Sequence, residues 1–574
     1  MRATAMIARF RTEMTTQSTS ATPVRFTFLS PRRAGDGDGA SSLVDPRRTS
    51  SRGWIAVATT CGAIWFLMRL AFFVGVAGSD DLYYIRFAAQ WDRPPITGWE
   101  ARLLGNGLTA LSMRALGRSE LAATLPSLVA SGVILASVLI WCRARGDLRA
   151  AWWAGLFTAV VPLDVEMGTT ISPHTVMAAW MVVGTLAYLW PRRSTAARWV
   201  AAVCLSFGVV THLAGVYYVA ALAVAGLIVD RRRYAPLVTR TMIVGVVLLS
   251  ADMAVFHFMF GDALCRFRAC QAETTYVKPI MPLTADGALN PEYLMWPVRN
   301  LVFSKAFGVA LPVVLISAWR RRRRMTAVER VGALAFCGFW LWMSFGSEVP
   351  WRYVPFDRIT RFMHPALLII ATMFAAFMAA QPKAWIPKAV GAAVIGLSVL
   401  NLLGGGSWGQ GAKVSKELLG YVRRHAERRF VTDYHTLNEM YALNGVALPP
   451  NLATTSDVPR SRLLDPSAPR LSQGDLIPGD ALLLNPLNVA RTPGFAALSE
   501  ACAGPTLLET EPRYRRICLL VPPLRDLSWS LRSPSARVVA WSPTVVVRRF
   551  GERYSVEQVR VAEVVSGRGL PPGD

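Results

Sequence analysis

Apolar residues in this chain gather into runs separated by short polar stretches, and many runs have the length of a bilayer crossing, about 20 residues for a helix. They occupy residues 54–78, 121–142, 150–163, 174–190, 199–212, 213–229, 241–260, 301–319, 331–346, 362–380 and 386–403. The pattern predicts an all-α polytopic membrane domain over residues 54–403, with about 11 transmembrane helices. Residues 1–53 are rich in Ser, Thr, Arg and Gly and hold no apolar core of signal-peptide length, which reads as a disordered cytoplasmic tail. Residues 404–574 change character again. The glycine-rich stretch 404–411 follows no strand and is closed by no Lys-Ser/Thr pair, so it reads as a linker and not a phosphate loop. Beyond it, 413–429 reads as a helix, while Asp480 to Leu487, Arg516 to Val521 and Arg537 to Arg548 alternate or run apolar at strand length. Phe430 to His435 reads as a strand end leading into a polar turn. The flank is therefore expected to be a C-terminal extracytoplasmic α/β domain.

Composition agrees with a membrane protein. Of the 574 residues 53% are hydrophobic and 17% charged, against about 25% charged in soluble domains; mean hydropathy is +0.33. The net charge of +25 would suggest a nucleic-acid partner in a soluble protein, but here it lies between apolar runs. Arg143, Arg145 and Arg149 follow the second run, Arg192, Arg193 and Arg198 the fourth, Arg231 to Arg233 the sixth, Arg320 to Arg324 the eighth and Lys383 the tenth. The tail carries Arg32, Arg33, Arg47, Arg48 and Arg52. Basic loops are retained in the cytoplasm, so the N-terminus is expected inside and the C-terminus outside, with no nucleic-acid partner. The excess of Arg over Lys suggests a GC-rich bacterial genome, hence a cytoplasmic (inner) membrane location. Cys61, Cys142, Cys204 and Cys337 fall in or beside runs, whereas Cys265, Cys270, Cys502 and Cys518 fall outside, where Cys265–Cys270 and Cys502–Cys518 pairing or four free thiols fit equally.

This topology puts the two longest loops, 79–120 and 261–300, on the outer face. Such asymmetry fits an enzyme better than a transporter, which would show internal repeats and midplane charges. The first loop opens Ser79-Asp80-Asp81-Leu82-Tyr83-Tyr84. Paired carboxylates at a membrane interface can serve as a base or hold a metal; equally, Ser79 or Asp80 can cap a helix running through Tyr84 and Phe87. Asp252 lies inside the seventh run with His257 five residues on, placed for a functional role or for pairing within the bundle.

With Arg86, the Asp80-Asp81-Leu82-Tyr83-Tyr84 motif resembles the first outside loop of the GT-C glycosyltransferases, among them glycosyltransferase family 39, protein O-mannosyltransferases, aminoarabinose transferase and RgtA-like lipopolysaccharide transferases. The resemblance continues in order through Pro94-Pro95, Glu100-Ala101-Arg102, Leu116-Gly117-Arg118-Ser119-Glu120, Leu125-Pro126, Pro162-Leu163-Asp164, Gly261-Asp262, Cys265-Arg266-Phe267-Arg268 and Arg361-Phe362-Met363-His364-Pro365. It implies a GT-C fold and an enzyme that moves a sugar from a polyprenyl-phosphate donor to an acceptor hydroxyl on a cell-envelope glycan, lipid or protein, usually with inversion. Asp80 matches the proposed base. Asp81 replaces the usual Glu as its neighbour or as a metal ligand. A departing phosphate needs cations, and Arg suits it because its fork binds two oxygens. The resemblance thus points to Tyr84, Arg86, Arg102, Arg352, Arg358, Arg361 and His212 as substrate contacts; each Arg could equally be an interfacial side chain. Asp164 and Glu166 stand where the family carries a second acid. Ser172-Pro173-His174 departs from relatives that place Asp after the Pro, which leaves His174 with a modified role or Asp164 and Glu166 substituting. A divalent metal, if used, would draw on Asp81, Asp164 and Glu166, with Asp80 and His174 as further ligands.

Two other readings stand beside this one. A lipid-linked glycan flippase or transporter would depend on Asp252 and not on Asp80. A non-catalytic envelope scaffold would account for the missing acid at position 174, although the retained Asp80-Asp81 pair weighs against it.

Overall fold

The computed structural model describes residues 51–78, 80–95, 97–190, 194–273, 281–284, 287–295, 297, 306–307, 310–347, 360–405, 410–475, 480–485, 488, 492 and 495, and strands between 506 and 563. The expected tail before residue 51, and Arg352, Arg358, Cys502 and Cys518, lie outside the described residues, as does the Cys270 side chain. Cys265 carries a free thiol.

Most of the described residues between 51 and 424 are helical. The helices are α1 (Ser51–Ala71), α2 (Asp80–Ala89), α3 (Leu103–Leu116), α4 (Glu120–Ala144), α5 (Leu148–Val160), α6 (Pro162–Gly168), α7 (Pro173–Leu189), α8 (Thr195–Thr211) and α9 (Gly215–Phe260). There follow α10 (Cys265–Glu273), α11 (Ala310–Arg321), α12 (Ala327–Phe345), a 3-10 turn (Thr360–Ala366), α13 (Leu367–Ala379), α14 (Trp385–Gly405) and α15 (Gln410–Arg424). Four described stretches, Ser51–Ala71, Glu120–Ala144, Gly215–Phe260 and Arg361–Ala379, are long and apolar enough to cross a membrane. Pro173–Leu189, Thr195–Thr211 and Trp385–Val399 are shorter apolar helices. Phe66, Leu67, Ile228, Val246 and Phe258 stand exposed on helix flanks. Apolar side chains on so many outward faces suit hydrocarbon, in which a helix satisfies its own backbone; the chain is a membrane protein.

Two boundaries differ from the apolar runs. The sixth and seventh runs form one 46-residue element, α9, broken at Asp230, whose φ of −155° and ψ of 85° are not helical. Asp230 Oδ1 accepts the Arg233 N–H at 3.0 Å and so caps the second half. The third run divides because Pro162 starts α6, and the residue before a proline is pushed out of helical geometry. Between the helices lies one continuous apolar core that includes Phe157, Tyr218, Phe336, Phe339 and Phe374. Asp252 is paired within the bundle: Arg266 donates to it at 2.8 Å and to the Val210 carbonyl at 2.7 Å.

Beyond α15 the chain forms β1 (Phe430–Thr432), α16 (Tyr434–Leu443), β2 (Leu452–Thr455), β3 (Arg470–Leu471), β4 (Ala481–Leu484), β5 (Thr506–Thr510), β6 (Tyr514–Ile517), β7 (Ala536–Trp541), β8 (Val546–Phe550) and β9 (Val559–Glu563). The main sheet has the order β3-β2-β1-β4-β9-β5, with β3, β2, β1 and β4 parallel and β9 and β5 antiparallel to their neighbours. Residues 537–548, read from sequence as one strand, are instead the antiparallel pair β7 and β8. Pro543 lies between them, and a proline cannot donate to a ladder. The polar turn after Phe430 is a helix start: Asp433 accepts the Thr436 N–H at 2.9 Å and the Thr436 hydroxyl at 2.6 Å.

This α/β unit packs on α2. Val76, Leu82, Tyr84, Ile85 and Ala88 share one apolar cluster with Tyr441, Ala442, Val446 and Leu464. Gln90 donates to the Tyr441 hydroxyl at 2.8 Å, and Lys416 pairs with Glu120. Two acids are buried close to this seam. Burial lifts Glu439 from 4.5 to about 8, with the charges of Asp433 and Asp81 adding to it against hydrogen bonds from Ser415 and Asn488. Burial likewise lifts Asp433 from 3.8 to about 6, against hydrogen bonds from Thr436. Groups raised on folding hold more protons in the native state, so their contribution to stability is complete below the unfolded pKa and is lost as pH rises through the folded one. Unfolding of the α/β unit, followed by denaturant titration of the full-length protein, should therefore become easier from pH 4.5 to about 8, and Glu439→Gln should flatten most of that slope.

Candidate active site

The site begins in the turn that joins α1 to α2. Gly75 and Gly78 have φ of +71° and +81°, a left-handed backbone that glycine adopts without a Cβ penalty. Three successive amides of this turn are tied down. Gly75 donates to the Thr169 carbonyl at 2.8 Å, Val76 to Glu120 Oε1 at 3.1 Å, and Ala77 to the Asp81 carboxylate. Asp80 and Asp81 then stand in the first turn of α2, where the helix dipole favours negative charge.

The two carboxylates face different partners. Asp81 is buried and turned back onto the loop. Asp80 is half-buried and accepts from Arg361 Nη2 at 2.7 Å, across 281 residues of sequence. Arg361 belongs to the 3-10 turn before α13, and its neighbours on that turn reach elsewhere. The Phe362 ring packs edge-on against His174 and His212 at 5.3 and 5.6 Å between centroids. His364 Nε2, carrying the ring proton, donates to Asp164 Oδ1 at 2.8 Å.

The His174 and His212 rings lie 4.3 Å apart. His212 Nδ1 accepts the Ala214 N–H at 3.1 Å, which leaves the proton of the neutral ring on Nε2. That Nε2 and both nitrogens of His174 are buried and have no hydrogen-bond partner among the described residues. Buried polar atoms of this kind mark a place that a ligand or water completes. The charges of Arg102 and Arg361 act on both rings. Arg102 is itself steadied by the Tyr84 hydroxyl, to which it donates. The site thus gathers Asp80, Arg102, Tyr84, His174, His212 and Arg361 around one cationic region.

The other sequence candidates are placed differently. Arg86 is buried and engaged twice by buried Glu100: Nη2 donates to Oε2 at 2.8 Å and Nε stands 2.7 Å from Oε1. Asp164 lies fully buried on α6 and takes Arg69, the Ser131 hydroxyl at 2.7 Å and His364. Arg69 donates in addition to the Ala159 carbonyl at 2.6 Å. Glu166 is half-buried on the same short helix. No group of three His, Cys, Asp or Glu among the described residues is placed to hold a metal ion. Sequence reading missed Arg69 and Glu439, and took Glu120 only as part of the motif running from Leu116. Arg69 did leave a signal, as a lone charge within the apolar run 54–78.

No protein-family model matches the chain, and no curated protein is similar to it in sequence. Solved structures are similar in fold. The aminoarabinose transferase ArnT from Cupriavidus metallidurans, in its apo state, superposes with a TM-score of 0.52 at 12% identity, over 80% of this chain and 97% of that one. The same enzyme bound to undecaprenyl phosphate gives 0.54 at 12% identity, over 90% and 99%. The Archaeoglobus fulgidus oligosaccharyltransferase gives 0.45 at 13% identity, over 70% and 64%. The likeness to ArnT establishes the fold as the GT-C membrane fold that the sequence motifs imply. Within it, removing one member of the buried Arg69–Asp164 pair strands a charge, a loss of about 3–5 kcal/mol. Arg69→Leu and Asp164→Leu should each lower the thermal midpoint in detergent sharply, and the double variant Arg69→Met/Asp164→Leu should recover much of the loss.

Proposed function

We propose that this chain is a glycosyltransferase that moves a sugar from a polyprenyl-phosphate donor to an acceptor hydroxyl of the cell envelope. The observation that carries this reading is the 2.7 Å contact between Asp80 and Arg361 beside Arg102 and the two unsatisfied histidines. It brings a carboxylate able to take a proton next to cations able to receive a departing phosphate. The likeness to ArnT supports the donor class, since that enzyme has been solved with undecaprenyl phosphate bound. The charge pattern supports an N-terminus in the cytoplasm and a C-terminus outside, with residues 54–403 as the transferase domain and 404–574 as the outer domain at an inner membrane.

In this mechanism the donor phosphate takes over the guanidinium of Arg361, with Arg102 as second cation. Asp80, released from its ion pair, accepts the proton of the acceptor hydroxyl as the hydroxyl oxygen bonds to the anomeric carbon. The bond from that carbon to the phosphate oxygen breaks, its electron pair going to the phosphate, where the arginines balance the charge. His212, through its Nε2 proton, and His174 are placed to hydrogen-bond sugar or phosphate oxygens. Tyr84 orients Arg102, and Arg358 and Glu166 are assigned outer substrate contacts. The pair Arg86–Glu100 serves as scaffold under α2, and no step is routed through a metal. Asp252, on which a transport reading depends, is answered locally by Arg266.

The test is sugar transfer in membranes from a panel of labelled polyprenyl-phosphate sugars to an envelope extract. Asp80→Asn, checked for folding and insertion, should reduce transfer by about 10²–10⁴-fold, the usual worth of a general base. Transfer unaffected by that substitution removes Asp80 as the base, and absence of transfer from every donor removes the reaction class.

A further inference from the structure

Glu439 belongs to the α/β unit, yet its carboxyl abuts the turn that delivers Asp80 and Asp81. A Cβ built on Gly78 would lie 2.4 Å from Glu439 Oε1, so only a glycine lets the two approach. Glu439 is 3% exposed. The other carboxyl oxygen, Oε2, accepts the Ser415 hydroxyl at 2.5 Å and the Asn488 amide at 3.0 Å. That network is itself braced, because Asn485 donates to the Ser415 oxygen at 3.1 Å and Asn488 to the Thr436 oxygen at 3.1 Å. Groups from α15, α16 and the segment after β4 therefore aim a single carboxyl at the first loop.

The charged groups that act on it are Asp81 from α2 and Asp433 at the head of α16. Lys416, the neighbour of Ser415, pairs instead with Glu120. A fully ionised Glu439 would repel both acids, and its burial favours the protonated form. At the Gly75 end of the same turn, Glu120 takes the Val76 amide and Lys416. The turn is thus gripped by Glu120 from the membrane domain and by Glu439 from the outer one.

We propose that Glu439 is a positioning residue of the site: from the outer domain it closes on the Gly78 turn and fixes the two carboxylates at the head of α2. The proposal rests on the reading of Asp80 as the base, and it makes the outer domain part of the active site. A neutral side chain of the same shape should serve equally well, whereas truncation should free the turn.

The clamp is tested without any reaction by hydrogen exchange of the amides of Gly75, Val76 and Ala77 in the full-length protein in detergent. Glu439→Ala should speed their exchange about tenfold or more, as a local opening does, while Glu439→Gln should leave it near the wild-type rate. Glu439→Asp, which keeps the carboxyl but draws it back from Gly78, should match Glu439→Ala, and it decides the matter if Glu439→Ala also loosens β1 and β2. In the transfer assay Glu439→Ala should lower kcat about tenfold with the donor KM held, since misplacement of a base acts on the chemical step, and Glu439→Gln should restore it. Exchange at the turn that is unchanged in both Glu439→Ala and Glu439→Asp overturns the clamp. Faster exchange in a wild-type protein background that transfers no sugar supports the clamp while the proposed function fails.

Discussion

A carboxylate sealed from water must be answered by donors on every side, because an ion left unpaired in a medium of low dielectric is far more costly than any single contact is favourable. Asp164 meets that condition with three donors from three parts of the chain: Arg69 near the end of α1, Ser131 in α4 and His364 in the 3-10 turn before α13. Each donor is buried, and Arg69 and Ser131 are each held by a further bond, to the Ala159 carbonyl and from the Trp65 indole. Arg69 also binds the Ala159 carbonyl and the Ser131 hydroxyl, so α1 cannot slide past α4 and α5 without breaking several charge-assisted bonds. The constraint runs outward from here. Because His364 is pinned, the turn that carries it has one position, and Arg361 and Phe362 on that turn have theirs.

Seen in this way the turn 360–366 distributes order among three places. His364 reaches into the buried network, Phe362 backs the two histidines, and Arg361 meets Asp80. The opposing carboxylate is positioned by an independent set of contacts, the tied amides of residues 75–77 and the packing of α2 against α16. Two halves of the site are thus supported separately and meet at one ion pair. That division explains why Asp81, the more buried of the adjacent acids, holds the backbone while Asp80 is left facing the cation.

How much of this was legible in the sequence follows from which forces act locally. The bilayer imposes a length on every spanning helix, and that length shows in an uninterrupted run of apolar letters; the helices around residues 121–142, 174–190 and 362–380 appear where the runs place them. Where a run and a helix disagree, the cause is also local, Pro162 dividing one run and Asp230 marking a break inside α9. Side-chain partnership is another matter. Asp80 and Arg361 were each legible as candidates, but the contact between them depends on the path of 281 intervening residues. Arg86 shows the same limit from the other side: its charge is visible in the sequence, whereas its commitment to Glu100 appears only once α2 is packed. Glu439 left no trace at all, because nothing in the pattern of a ten-residue helix in the outer domain reveals which loop its carboxyl will touch.

The resting ion pair has a consequence for the order of events in the proposed reaction. An Asp80 carboxylate held at 2.7 Å by Arg361 is occupied by that cation and is not available to an acceptor hydroxyl. An anionic phosphate that competes for Arg361 removes the restraint at the moment the donor is in place. In the proposed reaction the carboxylate would then become available only when a sugar is present to receive the acceptor oxygen. Coupling of this kind needs no moving domain. It needs a cation shared between the base and the leaving group, on a turn that the buried network keeps from wandering; the described geometry supplies that turn and the contact of Arg361 with Asp80.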